Sequence, residues 1–164
     1  MNLKIKFGNI TKEQTDAIVN AANESLMPGG GVDGAITTAA GAAALNERMS
    51  LGGCKTGDAV AGSGGNLNCE YIIYTVGPRY SQGRNDLLAS AYQKSIELAI
   101  KNNCKSIAFP AISAGIYGYP ADIAAKVAIN TATGFKDQDI DITFVLFTNS
   151  VYNAFQKELE KLND

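Results

Sequence analysis

The 164-residue chain carries a net charge of −2, is 46% hydrophobic and 18% charged, and has three cysteines and no histidine. Its size suits one domain, residues 1–164, and its near-neutral charge without any Lys/Arg run gives no electrostatic case for nucleic acid or an anionic membrane. The lack of histidine excludes a His-based triad, a His general base and the commoner zinc sites, so neither a metal nor another cofactor is expected.

Leu3 to Phe7 alternates apolar residues with lysine, the pattern of an edge strand. Thr11 with Gln14 fits a capping box and predicts a helical turn from Lys12. Asp16 to Asn20 is an apolar strand, buried on both faces. Gly34 to Met49 reads as one alanine-rich helix, stopped by Gly52-Gly53. Gly57 to Gly65 is a glycine-rich strand and turn, and Glu70 to Val76 a strong strand ended by Gly77-Pro78. Asp86 can cap a helix that carries Leu88, Tyr92, Ile96, Ala99 and Ile100 on one face. Ser106 to Phe109 is the next strand. Pro110 to Gly118 is a glycine-containing loop, and Pro120 suits the first turn of a helix from Ala121 to Thr133. A buried strand, Ile142 to Phe147, and a helix from Val151 to Leu162 close the chain. Strands alternating with helices predict a three-layer α/β/α domain with a mixed, mostly parallel sheet.

Met1 to Phe7 is too short and too alternating for a secretory leader, and no apolar stretch is long enough to span a bilayer. Cys54, Cys69 and Cys104 are odd in number and widely spaced, which predicts reduced thiols in a cytoplasmic protein. A monomer is expected.

Two segments share one plan of strand, glycine loop and helix start: Asn20 to Gly34 and Pro110 to Pro120. In an open α/β sheet both loops face the carboxyl ends of the strands, where glycines let backbone N–H groups converge on an anion. A diphosphate held there needs no lysine. Neither loop is a P-loop or a Rossmann fingerprint. Asn20 is read as satisfying nearby backbone groups, and Asn23, nearer the loop mouth, as the ligand candidate. Asp33 is either a helix cap or a carboxylate that orients or deprotonates a water. Tyr117 and Tyr119 lie in the second loop, where a core role is less natural. Tyr71, Tyr74 and Phe109 read as core. Phe147 either packs in the core or stacks on a base.

Five segments resemble the macrodomain family, and its MacroD-type branch in particular. They are GNIT (Gly8 to Thr11), DAIVNAAN (Asp16 to Asn23), GGGVDGAI (Gly29 to Ile36), YTVGP (Tyr74 to Pro78) and FPAISAGIYGYP (Phe109 to Pro120). The resemblance implies binding of ADP-ribose across the carboxyl end of the sheet. It also implies hydrolysis of ADP-ribosyl esters: O-acetyl-ADP-ribose, or mono-ADP-ribose on acidic side chains of proteins. A non-catalytic ADP-ribose reader is the alternative. By motif position, Asn23 would hold the distal ribose. Gly29, Gly30, Gly31 and Val32 would form the first phosphate loop, and Asp33 would be the catalytic carboxylate with Asn23 beside it. Ser113, Ala114, Gly115, Ile116 and Tyr117 would form the second phosphate loop, and Phe147 would lie against adenine. Asn9, with Ile10 next to it, would accept from the adenine amino group. Two positions depart from the family pattern. Asn9 replaces an aspartate, and Thr37 stands where close bacterial members tend to have a histidine four residues after the aspartate.

Overall fold

The computed structural model describes residues 1–163. Six strands form one sheet: β1 (Leu3–Phe7), β2 (Ala17–Ala21), β3 (Ala59–Ser63), β4 (Tyr71–Thr75), β5 (Ser106–Phe109) and β6 (Asp141–Leu146). Their order is β1-β6-β5-β2-β4-β3, and only β3 runs antiparallel to its neighbour. The mixed, mostly parallel sheet therefore matches the sequence-based expectation. β2 sits centrally, and Ala17, Ile18, Val19 and Asn20 are fully buried. Strand alternation splits its side chains between two cores. Ala17 and Val19 face a core with Leu88, Tyr92, Phe109, Ile129, Phe144 and Phe155. Ile18 faces a second core with Leu26, Ile36, Ala44, Ile72 and Val145.

Five helices make the outer layers: α1 (Gly31–Ala40), α2 (Ala42–Ser50), α3 (Asn85–Lys101), α4 (Ala121–Thr133) and α5 (Asn149–Lys161). α1 and α2 cover one face, and α3, α4 and α5 the other. The expected single helix from Gly34 to Met49 is in fact two. Gly41 breaks it with a φ of 90°, a region that a side chain rarely occupies, and a Cβ there would meet Asn66 Nδ2 at 2.7 Å. The first helix also begins earlier than expected, with Gly30 rather than Asp33 as its N-cap.

Other caps differ from the sequence reading in the same local way. Asn9, not Thr11, caps a 3-10 turn at Ile10–Lys12, with its Oδ1 accepting from Thr11 N and Oγ1 at 3.0 and 2.7 Å. Asp86 lies inside the first turn of α3 and pairs with Arg84. No helix among the described residues is long and apolar enough to cross a membrane. Burial pushes the thiols of Cys54, Cys69 and Cys104 up to about 11, so all three stay protonated at neutral pH.

A cleft between two glycine loops

The carboxyl ends of β6, β5 and β2 open into one cleft of about 400 Å³, a volume suited to a small organic ligand. Along the sheet edge the order is fixed by topology: Phe147 follows β6, the second loop follows β5, Asn23 follows β2 and Gly77 follows β4. The cleft is lined by both loops at Gly29 to Asp33 and Pro110 to Tyr117, with Asn23 and Phe147. Every sequence-predicted site residue therefore lines it except two. Ile10 is buried in the core, and Asn9 is exposed with its Oδ1 occupied by Thr11.

The first loop ends in the N-terminus of α1. Gly30 gives it no side-chain cap, so the leading N–H groups of the helix face outward, and the helix dipole favours an anion there. In the second loop Gly118 N, Ala114 N and Tyr119 N bond within the loop, whereas the N–H groups of Gly115 and Ile116 have no acceptor among the described residues. Ser113 adopts a φ of 64°, and its Oγ is buried without a protein partner. Ile116 is 100% exposed and Phe147 is 68% exposed. Both border the cleft, where apolar side chains can contact the flat faces of a ligand. Phe147 lies one residue beyond β6, outside the core. Tyr117 lines the cleft as expected. Tyr119 does not: it is buried, and its hydroxyl donates to Asn85 Oδ1 at 2.8 Å.

Asp33 occupies the third position of α1, 4% exposed, facing inward. Arg48, in α2 and 1% exposed, forks onto it: Nη1 donates to Oδ1, and Nη2 donates to Oδ2 at 2.8 Å. Asn20 Nδ2 and Thr37 Oγ1 each donate to Oδ1 at 3.1 Å, and Gly29 N donates to Oδ2 at 3.2 Å. Burial alone would raise the Asp33 pKa. The hydrogen bonds and charge of Arg48, with Asn20 and Thr37, outweigh it and hold the carboxyl below its ordinary value. Asn20 thus serves Asp33 rather than the backbone.

Arg48 is the site residue that sequence reasoning missed. Its one signal was placement on the buried stripe of α2, four residues after Ala44. Its guanidinium also lies 5.0 Å from the Tyr74 ring centre. Chemically the pair does two things. A bare carboxylate in the first turn of α1 would repel a bound anion, and Arg48 cancels that charge. The pair also ties down the first loop, because Arg48 Nη2 reaches Met27 O at 3.3 Å while Asp33 holds Gly29 N. So engaged, Asp33 is suited to orienting groups rather than removing protons.

Comparison with known proteins gives a consistent picture. The Macro domain model matches residues 19–128. A macro domain-containing protein of Caldanaerobacter subterraneus subsp. tengcongensis is 45% identical over 99% of this chain and 99% of its own. One from Methanosarcina mazei is 45% identical over 98% of this chain and 89% of its own. Among solved structures, a mutant Oceanobacillus iheyensis macrodomain with ADPR superposes with a TM-score of 0.94 at 39% identity, covering 98% of this chain and 93% of that one. The Trypanosoma brucei macrodomain in complex with ADP-ribose gives 0.89 at 36% identity, over 96% of this chain and 69% of that one. In sequence and in fold alike, this chain belongs to the Macro domain family.

Proposed function

We propose that the cleft binds ADP-ribose and that the protein hydrolyses ADP-ribosyl esters, as the MacroD-type resemblance implies. The observation that carries this reading is the pairing of two glycine loops over one cleft, with Phe147 on one flank and Asn23 on the other. A diphosphate between the loops would meet backbone N–H groups of both. Adenine would lie against Phe147, and the distal ribose against Asn23 and Tyr117. In the reaction water adds to the acyl carbon, the ester C–O bond breaks, and ADP-ribose and a carboxylic acid leave. Asp33 acts here by orienting the first loop and the groups around the water. The ligand's own phosphate then takes the water's proton and returns it to the departing ribose oxygen. Holding water and ester together supplies much of the acceleration.

The same geometry supports a second reading, a binding module without useful turnover. It is favoured by one observation: both oxygens of Asp33 are already occupied by protein donors. Calorimetry with ADP-ribose, run beside a product assay on O-acetyl-ADP-ribose, separates the two. Binding with steady product release supports the hydrolase, and binding with no product over hours supports the module. Absence of binding removes both. In the same calorimeter Phe147→Ala is expected to weaken ADP-ribose by about tenfold or more, since a base stacked on an aromatic ring is worth about 1–3 kcal/mol. An unchanged affinity would take Phe147 out of the adenine site.

A further inference from the structure

Tyr117, Asn23 and Gly77 line both the cleft and a second cavity that adjoins it, so they form the wall between the two. Of the three, only Tyr117 brings a ring. Arg79 lines the second cavity and not the cleft, and its guanidinium carbon stands 5.5 Å from the centre of the Tyr117 ring. Arg79 therefore backs this wall from behind.

The backbone around Arg79 holds it there. Arg79 N donates to Gln82 Oε1 at 2.9 Å, and Gln82 N donates to Arg79 O at 3.0 Å, which closes the 3-10 turn at Tyr80–Gln82. The turn docks on the second loop at two points. Tyr80 N donates to Tyr117 O at 2.9 Å, and the Tyr80 and Tyr119 rings meet edge to face with centres 5.1 Å apart. The charge of Arg79 is also uncommitted. Arg48 pairs with Asp33 and Arg84 with Asp86, whereas Arg79 has no carboxylate partner among the described residues. What it has is the face of a ring, whose quadrupole attracts a cation. Tyr117 needs such a partner because its own loop is permissive. Gly115 and Gly118 bracket Ile116 and Tyr117, and Gly118 has a φ of 82°. Glycines on both sides leave the ring free to tilt unless something holds it.

We propose that Arg79 is a positioning residue for the distal ribose. It fixes the tilt of the Tyr117 ring without touching the ligand, and so sharpens the preference for ADP-ribose over ADP, which has no distal ribose. This rests on the ADP-ribose binding reading above and not on turnover.

The test is calorimetry with ADP-ribose and with ADP. Arg79 is exposed, so its substitution leaves the core untouched. Arg79→Met is expected to weaken ADP-ribose about two- to fivefold, the worth of an exposed cation–π contact, and to leave ADP unchanged. Arg79→Lys keeps a cation over the ring and should recover most of the loss. In a Tyr117→Leu background Arg79→Met should cost nothing further, because the ring through which it acts is gone. Equal losses for ADP and ADP-ribose would mean that Arg79 acts as a charge on the phosphates, and would overturn the proposal. So would an undiminished cost in the Tyr117→Leu background, or an Arg79→Met that matches the native protein for both ligands. A native protein that binds neither nucleotide overturns the ADP-ribose reading itself, and this role with it.

Discussion

Replacing Arg48 by alanine is expected to cost about 3–5 kcal/mol of folding stability, because it strands the carboxylate of Asp33 in the interior without a counter-charge. For a chain of this length that corresponds to a Tm lower by roughly 6–20 °C, measured by thermal unfolding. The pH dependence provides a sharper signature. In the native protein the folded-state pKa of Asp33 is lowered. The unfolded chain then binds more protons, so this contribution is present at neutral pH and is lost as pH falls through the folded pKa. Without Arg48, burial acts on the carboxyl with far less opposition and lifts its folded pKa above the unfolded one. The folded state now binds more protons, and the variant should lose less stability than the native protein on acidification. Parallel stability-against-pH curves would sink this account of the pair. Replacing both partners, as Asp33→Asn with Arg48→Met, should recover most of the loss, since neither charge is then left alone.

Gly77→Ala is expected to damage binding more than folding. A Cβ at Gly77 would overlap Ser113 Oγ and come within 2.5 Å of Ile112 Cγ2. Ser113 already sits at a φ of 64°, and Ile112 N is fixed by the Tyr92 hydroxyl at 2.9 Å, so the start of the second loop has little room to yield. Overpacking of this kind costs about 1–3 kcal/mol of stability. Displacing the loop should weaken ADP-ribose at least about tenfold by calorimetry. Gly8→Ala, outside the cleft lining, is the control: a Cβ there has nothing within 4 Å. Native-like affinity in Gly77→Ala would show that the loop is not held by this contact.

The sheet was legible because its strands are short apolar runs with clear turn residues on both sides. All six lie within a few residues of where the pattern puts them. The cleft was legible because glycine loops after strands in an α/β sheet converge at one edge. Asp33 shows where local reasoning stops. Glycine is a poor helix former, so the pattern starts the helix at Gly34 and leaves Asp33 outside it. Packing instead starts α1 at Gly31, which turns Asp33 inward. Arg48 was hidden for a related reason. In Leu45 to Ser50 polar residues outnumber apolar ones, which reads as a solvated face, and a partner fifteen residues earlier leaves no local trace. Tyr119 was misplaced because a loop position says nothing about where a side chain points.

The kink at Gly41 couples Thr37 to Arg48. By folding α2 back along α1, it delivers Arg48 to within 3.1 Å of Thr37 Oγ1, beside the carboxylate they share. The short side chain of Thr37 and the long one of Arg48 thus occupy one space between them. A histidine at position 37 would compete with the guanidinium for it. Neither side chain can therefore be enlarged without displacing the other. Thr37→His alone should loosen the fork of Arg48 on Asp33.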